Sequence, residues 1–279
     1  GLEANKVYSI SANVRVQYDT KVDGSITMQV GDGQTVDVTA GAKIGDTKRY
    51  IGAFTAYGKT DGSGNLTITF NIAEDSGISW LAFRDVNYSL EVDGTSATMV
   101  ITDAKWATFV APFDVTIPAG VTAYNVTGVS GTSLLKSEVE TTIPANKPVL
   151  LNSESLVDKT FYGKAVAGTP TYGILTGVYA DQAATVGTYV LQKQGDDVNF
   201  YQVVSGEEPT VSANRAYLTA PSSAKMLSFD FDEDEEATQI AGIESEAAES
   251  GVAYNLAGQP VGSNYKGIVI KNGKKLLQK

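Results

Sequence analysis

The chain has 279 residues, with 21 Lys and Arg against 32 Asp and Glu, a formal net charge of −11, and neither His nor Cys. Without imidazole or thiol there can be no Ser-His-Asp triad, cysteine nucleophile, zinc site of the usual ligands or disulfide. The acidic balance argues against nucleic acid or anionic lipid as a partner, because both require clustered Lys and Arg.

The length predicts about two domains, and no apolar run approaches the ~20 residues that span a bilayer. We therefore expect no membrane-spanning segment. The first residues, Gly1 to Glu3, carry neither Met nor an apolar leader, which we interpret as a processed or trimmed start.

Short runs of alternating apolar and polar residues, separated by Gly, Asn and Asp, predict an all-β fold. The clearest run extends from Tyr8 to Tyr18, where the even positions are apolar and the odd positions are polar. One face of this strand should lie in a core and the other in water. Similar alternation at 26–30 and 66–72, with turn residues at 31–33 and 61–65, predicts further strands of the same sheet system.

The last strand of this region changes phase. Ile78 and Trp80 are even, Leu81 and Phe83 are odd, and the apolar residues from Val86 onward are even again. One face cannot satisfy all three groups, so we predict a bulge or break between Leu81 and Asp85. Trp80 stands in apolar company and is predicted to be a core residue, as is Trp106.

A second all-β region extends to about residue 232 and contains a loose internal repeat of turn residues that lead into a short apolar strand. Pro118 and Pro144 should lie at strand starts or edges, because proline has no amide hydrogen to donate. The three copies are Thr116-Ile117-Pro118-Ala119-Gly120, Thr142-Ile143-Pro144-Ala145-Asn146 and Thr210-Val211-Ser212-Ala213-Asn214.

Residues 230–250 are rich in acidic and small side chains, which predicts a solvated linker. Asp230, Asp232 and Asp234 also alternate as in calcium loops, but the glycine and the twelfth-position glutamate of such loops are missing. After the linker, Asn272-Gly273 between two apolar runs predicts a β-hairpin. The predicted organisation is two sandwich or jelly-roll-like domains at 1–95 and 96–232, a linker at 233–250 and a small C-terminal β-hairpin module at 251–279.

The C-terminal module resembles the sorting-type module that ends surface and secreted proteins of gut anaerobes. The resemblance implies export to the cell surface or the extracellular space, with residues 251–279 contacting an export receptor. Pro260 stands where the family often has Arg. The matching stretches are Val252-Ala253-Tyr254-Asn255-Leu256-Ala257-Gly258-Gln259-Pro260-Val261 and Lys266-Gly267-Ile268-Val269-Ile270-Lys271-Asn272-Gly273-Lys274-Lys275.

The first region resembles part of a galactose-binding-like jelly roll of the kind appended to secreted glycoside hydrolases, which usually has further strands ahead of this point. The middle region resembles an accessory β-domain often found before the sorting-type module. The first resemblance rests on residues 2–12 and on Trp80-Leu81-Ala82-Phe83-Arg84-Asp85-Val86, and the second on Trp106-Ala107-Thr108-Phe109-Val110-Ala111-Pro112-Phe113 with the Ile-Pro-Ala-Asn loop.

Aromatic and arginine side chains are the candidate ligand-binding residues, because sugars stack on exposed rings while polar groups bind their hydroxyls. We expect some of these residues at loop ends, beside the predicted bulge, or on the polar face of the first strand. The alternative for each is an ordinary solvated residue. The candidates are Tyr18, Asp19, Tyr57 at a predicted Tyr57-Gly58-Lys59 turn, Arg84, Asp85, Arg15 and Gln17.

Other chemistry has weaker support. Glu74-Asp75 and Asp196-Asp197 are the adjacent carboxylate pairs that a glycosidase would need, but they have the composition of turns, and neighbours on a strand point to opposite faces. Asp61 and Asn65, around Gly62, could hold a structural calcium ion by analogy with jelly rolls, although a plain turn explains them better. We otherwise expect no cofactor.

These observations predict an exported, non-catalytic protein that binds a glycan or another surface ligand through its N-terminal sandwich. The first alternative is a structural or adhesive surface protein that makes protein–protein contacts. A more distant alternative is a two-carboxylate glycoside hydrolase.

Overall fold

The computed structural model describes most of the chain up to residue 228 and a set of strands in the C-terminal segment. The described ranges are 1–18, 26–38, 42–43, 49–73, 77–220, 224–228, 253–255, 260–261, 267–271 and 274–278. They contain strands and turns and no α-helix, so the prediction of an all-β fold is confirmed. None of the helices required to cross a bilayer is present in these ranges.

The chain divides into two compact units, residues 1–231 and 232–279. The finer division predicted at residue 95 stays a prediction. Seven strands form the N-terminal part of the first unit: β1 (Val7–Tyr18), β2 (Ile26–Val30), β3 (Val36–Asp37), β4 (Ala42–Lys43), β5 (Arg49–Lys59), β6 (Ile68–Ile72) and β7 (Ile78–Leu90).

These seven strands form a β-sandwich. A four-stranded antiparallel sheet in the order β4-β5-β1-β7 packs against a three-stranded sheet in the order β3-β2-β6. The core contains the even residues of β1, including Val14 and Val16, together with Ile26 and Met28 of β2. The alternation along β1 therefore has the predicted phase, with one face in the core and the other in water.

Strand β7 contains two bulges. Ser11 and Asn13 of β1 are two residues apart but pair with Asn87 and Arg84, so β7 has an extra residue at Asp85–Val86. This bulge adjoins the predicted segment, and Asp85 adopts a left-handed φ of 53° there. A second irregularity separates the pairs Gln17–Trp80 and Tyr18–Ile78, which leaves Ser79 as the extra residue. Sequence phase did not predict this second bulge.

The rest of the first unit contains sixteen strands: β8 (Gly94–Ile101), β9 (Trp106–Phe109), β10 (Val115–Thr116), β11 (Thr122–Ser130), β12 (Ser133–Val139), β13 (Thr142–Ile143), β14 (Val149–Asn152), β15 (Val157–Lys164), β16 (Thr171–Tyr172), β17 (Leu175–Gly177), β18 (Gln182–Ala183), β19 (Tyr189–Gln194), β20 (Asp197–Gln202), β21 (Thr210–Val211), β22 (Ala216–Leu218) and β23 (Met226–Leu227). They build three layers. The middle layer is a four-stranded sheet in the order β12-β11-β14-β9, with the β8–β15 pair on one side and the six-stranded sheet β16-β17-β22-β19-β20-β23 on the other.

The middle layer is buried on both faces, and its sequence shows why. Val149 and Leu151 of β14 belong to the core shared with β8 and β15, whereas Leu150 belongs to the core shared with the six-stranded sheet. A strand covered on both sides has a continuous apolar run rather than alternation. Thr108 of β9 links the layers, because its hydroxyl accepts from the Ala216 amide at 2.9 Å and donates to the Ala216 carbonyl at 3.0 Å.

The internal repeat folds as three copies of one turn, each between a short strand or loop and the strand that follows. In each copy the residue after the left-handed position donates its amide hydrogen back to position 118, 144 or 212. The left-handed residues are Gly120, Asn146 and Asn214, with φ of 81°, 60° and 62°. The predicted connection between turn and strand is therefore present in all three copies.

Substitution of Asn214 should destabilise the fold through two separable effects. Its side chain accepts from the Thr98 amide at 3.2 Å and donates to the Val110 carbonyl at 3.3 Å. Asn214→Ala loses both bonds and retains the left-handed backbone, so we expect a loss of about 2–4 kcal/mol in the free energy of unfolding. Asn214→Gly removes the backbone strain and should lose about half as much.

Chemical denaturation measures both values. Gly120→Asn is the matched control, because its left-handed position has open space around a Cβ and should tolerate Asn at a cost below about 1 kcal/mol. Equal losses for Asn214→Ala and Asn214→Gly would contradict the backbone part of this explanation.

The second unit contains one antiparallel sheet in the order β25-β24-β26-β27. Its strands are β24 (Ala253–Asn255), β25 (Pro260–Val261), β26 (Gly267–Lys271) and β27 (Lys274–Gln278). Lys271 pairs with Lys274, so β26 and β27 form the predicted hairpin around positions 272 and 273. The predicted acidic linker lies outside the described residues.

Candidate functional site

The candidate site is the outer face of the four-stranded sheet in the N-terminal sandwich. Gln17 of β1 lies opposite Arg49 of β5 on one side and opposite Trp80 of β7 on the other. Directly paired residues of antiparallel strands place their side chains on the same face. We call this surface the platform and define it by Arg15, Gln17, Arg49, Trp80 and Arg84.

Trp80 is an exposed residue, with 49% of its surface accessible, so the prediction that it is a core residue is wrong. Ser79 is the reason. Ile78 pairs with buried Tyr18 and packs against the core, but the extra residue turns Trp80 to the opposite face, where it pairs with Gln17. Trp106, by contrast, packs partly buried against the core of the six-stranded sheet.

Arg15 lies at the centre of the platform. It pairs with Ala82, so Trp80 and Arg84 are its two diagonal neighbours on β7, at about 7–8 Å in ordinary sheet geometry. Arg15 and Arg84 are both exposed, and neither forms an ion pair with another described residue. Their guanidinium groups are therefore available to donate hydrogen bonds to a ligand beside the indole ring.

Gln17 and Arg49 complete the platform. The Arg49 Nε donates to the Gln17 Oε1 at 2.7 Å, which orients the Gln17 amide beside Trp80. The side-chain amide of Gln17 also has two donor hydrogens that can bind a hydroxyl. The result is an open surface with one large ring and polar groups on three strands.

Asp85 supports the platform from the bulge in β7. Its Oδ2 accepts from the Asn13 Nδ2 at 2.9 Å, and its carbonyl accepts from the Asn87 Nδ2 at 2.7 Å. Asn13 pairs with Arg84, so these bonds hold the strand next to a platform residue. Asp85 is the one carboxylate that the described residues place beside the three arginines.

The other predicted ligand residues do not join the platform. Tyr18 is only 4% exposed and faces the core, because it continues the even phase of β1. Tyr57 lies within β5, not in a turn, and pairs with Ser9, eight residues along β1 from Gln17 or about 26 Å at the usual rise. Burial, and then the charge of Glu91, raise the pKa of Tyr57. Asp19 lies outside the described residues.

The Asp61–Asn65 segment forms a turn. The Oδ1 of Asp61 accepts from the amides of Ser63 and Asn65 at 2.8 and 2.9 Å, and Oδ2 accepts from the Asn65 Nδ2 at 3.2 Å. These bonds, led by the one from the Asn65 amide, lower the pKa of Asp61. In the part of the chain that the structure describes, no group of three or more acidic side chains is arranged to hold a metal ion.

The candidate carboxylate pairs have no site around them in the described residues. Asp196 lies in the turn between β19 and β20, and Asp197 starts β20 opposite Gln194. Both are exposed, as the turn composition predicts. Glu74 and Asp75 lie outside the described residues.

Sequence reasoning missed two platform residues. Trp80 was hidden by the bulge at Ser79, which has no residue signature of its own. Arg49 lies on a strand whose two faces carry similar residues, with Ile51 on the outer face and Gly52 on the inner one. Without contrast between alternate positions, the phase of β5 cannot be read, and the pairing with Gln17 is the first sign of its role.

Comparisons with known proteins do not bear on this surface: no family model matches the chain, and neither a curated protein nor a solved structure does so. The platform must therefore be interpreted from its own chemistry.

Proposed function

We propose that this chain is an exported, non-catalytic protein that binds glycans on the platform. The observation that carries the proposal is the half-exposed ring of Trp80 on an otherwise polar sheet face. An indole ring offers a flat apolar surface for the C–H face of a sugar, and the adjacent Gln17, Arg15 and Arg84 offer donors to its hydroxyls. A flat face of this kind suits an extended saccharide chain.

The surrounding charge supports the same interpretation. The chain as a whole carries a net charge of −11, yet the platform contains three arginines and adjoins one carboxylate. Exposed tryptophan and arginine are the residue types that most often dominate binding energy at protein surfaces. A solvated sheet face without a ligand would have no use for this combination.

Export rests on the resemblance of residues 252–275 to the sorting-type module. The proposed location is the cell surface or the extracellular space, and residues 251–279 would contact the export machinery. Non-catalytic action rests on the composition, because the chain has no His or Cys, and on the turn position of Asp196 and Asp197.

Affinity electrophoresis against a panel of soluble neutral and acidic polysaccharides tests the proposal. We expect at least one polysaccharide to retard the wild-type chain. The combined substitution of Arg15 and Arg84 by Ala should reduce the retardation by about tenfold or more in affinity, since two charge-assisted donors are lost. Tyr57→Ala, distant on the same sheet, is the matched control. Retardation that is unchanged in the arginine variant would contradict the platform.

A second candidate function is supported by the open edge of the sandwich. Among the described residues, β6 and β7 end their sheets, and large apolar side chains on their inward faces remain exposed. Phe83 stacks on Phe70 at 4.7 Å between ring centroids and is still 49% exposed. The open edge comprises Ile68 at 38%, Ile72 at 50%, Phe83, Val86 at 48% and Tyr88 at 67% exposure.

An exposed apolar patch of this kind is typical of protein–protein contact, as a structural or adhesive protein would need. A second copy of the chain offers the same patch, so two open edges could pack on each other around a twofold axis. Sedimentation velocity should then show concentration-dependent dimers that Phe83→Glu abolishes. Leu156→Glu, at an isolated exposed position, is the control. A wild-type chain that stays monomeric at high concentration would contradict this second function.

A further inference from the structure

A cavity of about 330 Å³ lies in the layered part of the first unit, on elements that contribute nothing to the platform. It is formed by β9, the β19–β20 hairpin and the turn between β21 and β22. Its wall combines the apolar side chains of Trp106, Leu191 and Val198 with the polar side chains of Gln192, Ser212 and Arg215. The volume lies within the ~300–1,000 Å³ that is usual for small-molecule sites.

Arg215 is the unusual group in this wall. The residue is half-buried, and its Nη1 donates to the Thr108 carbonyl at 3.1 Å. No carboxylate of the described residues lies within ion-pair distance of it, and no Asp or Glu lines the cavity. Burial lowers the pKa of the guanidinium. A buried charge that is paired only with a neutral carbonyl is costly, because it gives up hydration without gaining a counter-ion.

The position of Arg215 is fixed by the third copy of the repeated turn. Its amide donates to the Ser212 carbonyl at 3.2 Å, and its carbonyl accepts from the Val178 amide at 2.8 Å. In the second copy the equivalent cation, Lys147, has its Nζ 4.1 Å from the centre of the Tyr172 ring. The charge in that copy is therefore satisfied within the fold, whereas the charge of Arg215 is presented to a cavity.

We propose that this cavity binds a small carboxylate-bearing ligand of the size of one sugar acid, with Arg215 as its counter-ion. A planar guanidinium can donate two parallel hydrogen bonds to a carboxylate, which supplies the missing charge partner. The indole of Trp106 covers the carbon skeleton, and Gln192 and Ser212 bind its hydroxyls. Lys193 adds positive potential at the wall, although it already pairs with Asp103 at 3.1 Å.

The two tryptophans of the chain allow a direct test by NMR, because each gives one indole N–H signal and Trp80→Phe assigns them. Titration with glucuronate should shift the Trp106 signal and leave the Trp80 signal in place. Glucose is the neutral control and should shift neither signal at the same concentration. Acetate separates a sugar-acid site, which it should occupy much more weakly, from general carboxylate binding.

Arg215→Gln should weaken glucuronate binding by about ten- to a hundredfold, since a charge-assisted pair is lost. Arg215→Lys should retain part of the affinity, because it keeps the charge but not the planar fork. Arg84→Gln, which removes an exposed arginine of the platform, should have no effect. Thermal unfolding of each variant confirms that it is folded, and Gln192→Trp, which fills the cavity without touching Arg215, repeats the test if Arg215→Gln unfolds.

Three results would overturn the proposal. They are the absence of a Trp106 shift with glucuronate and acetate, an equal shift with glucose, and glucuronate binding that survives both Arg215→Gln and Gln192→Trp. Because glycan binding on the platform is followed through Trp80, either proposal can fail while the other stands.

Discussion

Trp80→Ala should abolish most of the affinity for the glycan that retards the wild-type chain. The ring is the largest apolar group on the platform, and diagonal Arg15 and paired Gln17 surround it. Truncation of a central aromatic residue costs about 2–4 kcal/mol at binding surfaces, or roughly a thirty- to thousandfold loss of affinity. Isothermal titration with the retarding polysaccharide measures the change.

The control for this experiment is Tyr88→Ala on the same strand. Tyr88 is also an exposed aromatic residue, at 67%, but it pairs with Ile10 and therefore belongs to the open edge on the other face of the sheet. We expect its substitution to leave glycan affinity unchanged. If Tyr88→Ala reduces binding and Trp80→Ala does not, the ligand lies at the open edge and the platform is wrong.

Leu150→Ala and Leu151→Ala should each destabilise the chain strongly and by similar amounts. These neighbours point to opposite faces of β14, and both are fully buried because the middle sheet has a core on each side. Deletion of a buried leucine side chain costs about 2–5 kcal/mol through lost transfer energy and the cavity that remains. A strand with one solvated face would show a large loss at only one of the two positions.

Urea denaturation followed by fluorescence measures both losses. Leu135→Ala on β12 is the control, because Leu135 is 43% exposed and should change the free energy of unfolding by less than about 1 kcal/mol. A small loss at either Leu150 or Leu151 would contradict the three-layer arrangement.

The parts of the fold that sequence predicts well are those in which adjacent positions differ strongly in polarity. The strict alternation of β1 gives its phase, and the turn residues at Gly31–Gly33 and Asn214 give local geometry. The continuous run Val149–Leu151 gives no phase, and its position between two cores depends on strands that lie far away in the chain.

The candidate site was only partly predictable for the same reason. Arg15, Gln17 and Arg84 were named because the first strand and the predicted bulge placed them on a polar face or beside it. Trp80 was assigned to the core because apolar residues stand on both sides of it, and the bulge at Ser79 reverses that assignment. Bulges depend on backbone pairing across strands, which a single sequence does not display.

The most direct test of the account is to follow the Trp80 indole signal while the retarding polysaccharide is added. If the platform binds glycan, this signal shifts in a saturable way, with the amides of Arg15, Gln17 and Arg84 changing at the same concentration. Saturable binding that leaves Trp80 and these amides unchanged would contradict the central claim.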